Sequence, residues 1–319
     1  MKIEHVLAGF VPGSGGRDGL ALALLLARQA GARLTVAHVH VPAWTTPGPG
    51  KVDAEWRAHV DRQAARTLSA ARERLSGVRD VEIDLLSHGD RGSGRGLAAL
   101  AGRIGADVVA IGPAPRGARG RISVGSTADQ LLHGSPVPVA LAPQGYAVTA
   151  PDRLARLAVA YRRGPACAET VRQAATVAAG MGVPLRLITL VVGGGRRGGV
   201  DREMLGRVRE RAAADLEAAS LAHGSAGASP GASSVTGGGA GVTVEMEVLE
   251  GGDVGAALAS SGWHEDALLI CASSRTGPLR RVFLGDTSLK IIRASPSPVI
   301  MLTRIPRTTR ETAENPGKT

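Results

Sequence analysis

The chain repeats itself, and that repeat limits the folds open to it more than any other feature. The strand-like stretch "VLAGFV" at 6–11 has the apolar pattern of "LAVAYR" at 157–162, with Val11 against Arg162 and Gly31 against Gly182 at one constant offset. A second constant offset joins Gly112 to Ala272, Gly125 to Gly285, and Ser135-Pro136-x-Pro138-Val139 to Ser295-Pro296-x-Pro298-Val299. Between the two, Asp90 in "SHGDRG" matches Asp253 in "EGGDVG". The extra length of the second copy falls in the Gly/Ser/Ala tract "HGSAGASPGASSVTGGGAGV", from His223 to Val242. An offset that holds through a loop, a helix and a strand marks an internal repeat. The tract buries too little apolar surface to offset its chain entropy, so it reads as a flexible loop inside the second half and not as a domain boundary.

Each half reads strand, helix, strand, long helix, strand, helix, strand, glycine loop, helix, strand. The runs "LTVAHVHV", "VVAIG" and "VPVALAP" are short, β-branched and bounded by Gly or Pro, whereas "AEWRAHVDRQAARTLSAARERL" carries helical spacing and many charges. Strands alternating with helices predict a parallel α/β sheet covered on both faces. Apolar residues make up 44% of the chain and aromatics 2%, so the cores must be built from Ala, Val, Leu and Ile. With 319 residues there is chain for two domains. The expected division is 1–145 and 154–304, with 146–153 as a linker and the polar end 305–319 disordered.

The formal charge is +10, nearly all of the cations being arginine. Such an excess suits phosphate-bearing partners or a solvated surface. With two Phe, two Tyr and three Trp there is little material for base-stacking platforms, which argues against nucleic acid as a partner. Apolar runs such as "LALALLLA" are much shorter than the ~20 residues a membrane span needs, and no charged leader with a cleavage site opens the sequence, so the expected location is cytoplasmic. Cys167 and Cys271 cannot by themselves make a disulfide framework or a zinc site. His38 and His40 share a side of the second strand, but no further ligand pattern accompanies them, and no metal site is expected. Asp90 and Asp253 are expected as acidic N-caps of the third helix of each half.

In α/β sheets ligands sit beyond the carboxyl ends of the strands, where strand order reverses. There the first half carries "IGPAPRGARGRISVGSTADQLLHGSPVPVALAP". Gly112, two residues, Pro115, nine residues, then Gly125-Ser126 resembles G-x2-G-x9-G-[ST], the nucleotide-binding signature of the universal stress protein family. The flanking "GPLRRVFLGDTSLKIIRASPSPV" of the second half is similar to that family too, so the resemblance runs from about residue 3 to 303. It implies two doubly wound, Rossmann-like domains in tandem, of the adenine nucleotide alpha hydrolase-like type, packed as an internal pseudo-dimer. It also implies a stress-response factor that acts by binding rather than turnover. ATP or ADP, with or without magnesium, would be held in the first half by Gly112, Pro115, Arg116, Gly125, Ser126 and Thr127, with Val11 and Val39 beside the nucleoside. Early glycines let backbone approach phosphate, and the last Gly-Ser/Thr opens a helix whose N–H groups face an anion.

The departures from the signature are specific. Pro115 removes one N–H donor and fixes φ at a turn where the family has glycine. Val11 and Arg162 stand where the family has an aspartate at the end of the first strand. In the second half Ala272 and Arg275 replace both early glycines, and Asp286 places a carboxylate where phosphate would lie, so that site is expected to be closed. A second reading follows: a tandem scaffold without nucleotide that acts through a protein partner. A third is ATP-pyrophosphatase chemistry, suggested by Ser14-Gly15-Gly16-Arg17-Asp18 after the first strand. The second half has Pro165-Ala166-Cys167-Ala168-Glu169 in register, and Val11-Pro12-Gly13 separate the motif from its strand. The stretch is therefore expected to be a glycine-rich turn into a helix.

Overall fold

The structure, a computed structural model, describes residues 1–42, 52–161, 165–192, 206–207, 210–211, 214, 235–236, 242–262, 266–272 and 286–302. Most of the 223–242 tract, the 305–319 end and the second-half loop at 273–285 lie outside the described residues, as do Arg162 and Arg275.

The first half runs β1 (His5–Gly9), α1 (Ser14–Ala30), β2 (Arg33–His40), α2 (Val52–Leu75), β3 (Ile83–Gly89), α3 (Ser93–Ile104), β4 (Val108–Ile111), α4 (Ser126–Gly134) and β5 (Val139–Leu141). After α5 (Tyr146–Thr149) come β6 (Arg156–Ala160), α6 (Pro165–Met181), β7 (Leu185–Val192), β8 (Val235–Thr236), β9 (Thr243–Gly251), α7 (Val254–Ala259), β10 (Ala267–Ala272), α8 (Asp286–Ala294) and β11 (Val299–Leu302). The strands form one sheet in the order β3-β2-β1-β4-β5-β11-β10-β6-β7-β9-β8. Within each half the pairings between the repeated strands are parallel. The halves meet where β5 and β11 pair antiparallel, with Val299 opposite Leu141 and Met301 opposite Val139. The mostly parallel, helix-alternating sheet matches the expected fold class.

Alternation along the strands explains the two cores. Val6 and Ala8 of β1 enter a cluster that holds Leu22 and Leu26 of α1 and Ala174 and Ala178 of α6. Leu7, between them, faces the opposite cluster with Leu97 and Leu100 of α3, Leu131 of α4 and Ile292 of α8. A strand buried on both faces must be apolar at every position, which is why these strands read as continuous runs. Gly31 closes α1 in the left-handed conformation (φ 62°), and its N–H reaches Ala27 O and Arg28 O. Across the joint, Gln29 donates from Nε2 to Met181 O and accepts from Leu154 N at Oε1.

One expectation, the Asp90 cap, changes in the structure. The stretch 146–153 includes a packed helical turn, with Tyr146 buried. Asp253 does cap α7, accepting from Ala256 N at 2.8 Å. Asp90, however, stands two residues too early: Gly92 is the N-cap of α3, and Asp90 accepts instead from Gly92 N and from Arg95. The α3 N-terminus is satisfied from elsewhere, by Gln130 Oε1 accepting from Gly94 N and Arg95 N. Among the described residues no helix is long and apolar enough to cross a membrane.

Candidate functional site

β1 lies between β2 on one side and β4 on the other, so strand order reverses there, and a cavity of about 500 Å³ opens beyond the carboxyl ends of these strands. Its walls are the β1 exit from Gly9 to Gly16, Ala37 and Val39 of β2, Ser93 and Leu97 of α3, the β4 exit from Ile111 to Pro115, and Gly125 to Ala128 at the start of α4. Gly112, Pro115, Gly125, Ser126, Thr127, Val11 and Val39 are thus brought together around one space.

The close fit of the walls comes from glycine. A Cβ on Gly112 would stand 2.6 Å from the Gly15 carbonyl carbon and closer still to its oxygen. One on Gly16 would stand 2.9 Å from the Val11 carbonyl carbon. The first turn of α1 therefore packs backbone to backbone on the β4 exit, an approach that any side chain would prevent. This accounts for the Ser-Gly-Gly spelling. Asp18, the last residue of that motif, is buried and accepts from Gly145 N at 2.8 Å and Ala147 N at 2.9 Å. Its carboxylate holds the turn into α5, and it is not among the residues that line the cavity.

Three helices, α1, α3 and α4, start at the cavity, and Gln130 Oε1 already takes the Gly94 and Arg95 N–H groups of α3. The N-cap of α1 is Gly13 and that of α4 is Gly125, and neither has a side chain to satisfy the first-turn N–H groups. The positive ends of both helices therefore face the same space, together with the hydroxyl-bearing residues Ser14, Ser93, Ser126 and Thr127. Among the described residues the rest of the lining is Gly, Pro, Ala, Val, Ile, Leu and Phe, with no charged side chain.

The loop arginines lie elsewhere. Arg116 is exposed, adopts φ 66° and does not line the cavity. Arg119 lies against Gly145, and Arg121 donates from Nη1 to the carbonyl of Ala294, in the second half. Val11 lines the mouth but is 55% exposed, so it forms a rim and not a floor. In the second half, Ala272 ends β10 and Asp286 opens α8.

His38 and His40 are committed to backbone: Nδ1 of each lies within hydrogen-bond distance of a carbonyl, Phe10 O at 3.2 Å and Val41 O at 3.0 Å. Burial lowers the His38 pKa, and among the described residues no group of three His, Cys, Asp or Glu is placed to hold a metal. Burial pushes the Cys271 thiol up to about 12, which makes it an inert core residue.

Sequence reasoning kept the Ser14 turn as a possible flank of a phosphate and missed Ser93 and Leu97 as lining residues. Each lies on a helix that begins just after a strand's carboxyl end, and that placement was the available signal.

The match with known proteins covers both halves. The model of the Universal stress protein family fits residues 2–143 and 154–303. Universal stress protein Rv2319c of Mycobacterium tuberculosis is 33% identical over 299 residues, spanning 93% of this chain and 99% of that protein. Universal stress protein Mb2346c of Mycobacterium bovis matches to the same extent. Among solved structures, a universal stress protein from Archaeoglobus fulgidus superposes with a TM-score of 0.59 at 18% identity, covering 95% of this chain and all of that one. The functionally unknown protein PA1789 from Pseudomonas aeruginosa gives 0.56 at 13% identity, over 95% of this chain and 93% of its own. Family model, sequence identity and the internal repeat agree, and the chain belongs to the universal stress protein family.

Proposed function

We propose that the first half binds ATP or ADP in this cavity and that the chain serves as a stress-response factor through binding, with the two halves acting as an internal pair. The observation that carries the reading is the convergence of two helix N-termini, both with glycine N-caps, on one cavity of about 500 Å³. That volume lies within the range of about 300–1,000 Å³ in which small-molecule sites fall. N–H groups of Ser126, Thr127 and Ala128 at one end, and of Ser14 to Gly16 at the other, are donors suited to phosphate oxygens. Val39, Ala37 and Leu97 offer an apolar wall to a base. Among the described lining residues there is no carboxylate. The antiparallel β5–β11 junction supports the internal pairing.

One observation favours the scaffold reading: among the described residues the lining carries no charged side chain, so phosphate would rest there on backbone and hydroxyl donors. Photo-crosslinking with 8-azido-ATP separates the two. Under the nucleotide reading the label falls on peptides from 9–16, 37–39 or 111–128 and is displaced by excess ATP. Label spread over the surface and insensitive to competition would favour the scaffold.

A further inference from the structure

The loop that closes the cavity, 112–125, is fixed at two places. To its own half it is tied by reciprocal backbone bonds, Gly120 N to Gln144 O and Gln144 N to Arg121 O, each 2.9 Å. An internal bond from Ala114 N to Ser123 O, also 2.9 Å, closes the loop on itself. The other fixing point belongs to the second half. Arg121 Nη1 donates to the carbonyl of Ala294, the last residue of α8. Next to it Ile122 is buried, 3% exposed, in a cluster built by both halves, with Leu131 and Leu141 of the first and Ile291, Ile292, Val299 and Met301 of the second.

The last carbonyls of a helix lack intrahelical partners and carry the negative end of its dipole, so an arginine there is stabilised twice. Gly125, Ser126 and Thr127 stand three, four and five residues after Ile122. Ala114 limits the other side, since a Cβ on Gly125 would stand 2.8 Å from the Ala114 Cβ. The placement of the α4 N–H groups is therefore tied to where the second half holds Arg121 and Ile122. The sequence repeats the pair as Arg281-Val282, in the same relation to Gly285 as Arg121-Ile122 to Gly125.

We propose that the second half acts as a brace for the nucleotide loop of the first: Arg121 and Ile122 are positioning residues that make binding in one half depend on its contact with the other. The inference rests on the nucleotide reading above for its ligand. Its geometry is independent of it. A coupling of this kind runs in both directions, so ATP bound in the first half must also order the end of α8.

The test uses the full chain, wild type, Arg121→Ala and Arg121→Lys, with ATP titration and hydrogen–deuterium exchange. Arg121→Ala is expected to weaken ATP by about fivefold or more, the lower end of ordinary site coupling, with Arg121→Lys recovering part of the loss. In wild type, ATP slows exchange at 291–295, and Arg121→Ala abolishes that slowing while thermal unfolding stays near wild type. Equal ATP affinity in wild type and Arg121→Ala overturns the brace. If wild type takes no ATP, the nucleotide reading fails and exchange of the unliganded proteins decides the brace. Faster exchange at 125–128 in Arg121→Ala supports it, and unchanged exchange overturns it.

Discussion

Asp18 gives the clearest quantitative test of how the motif after β1 is used. The side chain is 2% exposed and accepts two backbone N–H bonds, from Gly145 and Ala147. Asp18→Ala removes both acceptors and leaves the N–H groups of half-buried Gly145 and exposed Ala147 without their carboxylate partner. Hydrogen bonds to a charged partner contribute about 1.5–3 kcal/mol each, so the substitution should cost roughly 3–6 kcal/mol. At about 2–4 °C per kcal/mol for domains of this size, the first unfolding transition should fall by roughly 10 °C. Asp18→Asn keeps one oxygen acceptor and should fall between. The assay is differential scanning calorimetry of the three proteins, with ATP titrated at a temperature where all are folded. Because Asp18 does not line the cavity, affinity should change much less than stability. An Asp18→Ala protein as stable as wild type, or one that loses ATP binding without losing stability, would refute the structural role assigned to this residue.

Two further outcomes follow from the same geometry. Gly112→Ala places a methyl against the Gly15 backbone, and overpacking of that kind costs roughly 1–3 kcal/mol; stability and ATP binding should both fall, whereas Gly102→Ala, with only Pro136 Cγ 4.0 Å away, should be neutral or stabilising. His5 is buried with Nε2 at 2.8 Å from Thr35 Oγ1, and its pKa is lowered, first by desolvation and then by Arg33. A histidine whose folded pKa is depressed leaves stability intact above the unfolded value, ~6.5, and removes it as pH falls from there toward the folded pKa. Urea unfolding at pH 7.5 and pH 5.5 should show a loss at the lower pH that is smaller in His5→Gln; His38, His88 and the Met1 amino group, whose pKa values are also lowered, contribute to the remainder. An equal loss in both proteins would remove His5 from the account.

The fold was legible because burial on both faces forces every position of a strand such as "VLAG" to be apolar, and because the duplication places the same pattern twice. The cavity was legible in part. Gly112, Gly125, Ser126 and Thr127 lie where the loop spacing put them, since a strand exit and a helix start leave little freedom between. Three things could not be read from spacing. Backbone proximity, as between Gly15 and Gly112, depends on how α1 settles against β4, which are almost a hundred residues apart in sequence. The acceptor role of Asp18 depends on a turn at Gly145, near the end of the first half. The direction of a long side chain is set by its tertiary neighbours, so Arg121 turns to the C-terminus of α8 and Arg116 stays on the surface. Asp90 missed the cap of α3 because a Gln130 carbonyl oxygen already satisfies those N–H groups.

The central claim is that nucleotide occupies the first-half cavity, and calorimetric titration of ATP and ADP, with and without magnesium, into wild type and Gly125→Asp tests it most directly. The account predicts a stoichiometry near one in wild type and no binding heat in Gly125→Asp, where a carboxylate would face the phosphate at the start of α4. A folded wild-type protein that gives no heat with either nucleotide, or a Gly125→Asp protein that binds as wild type does, would contradict it.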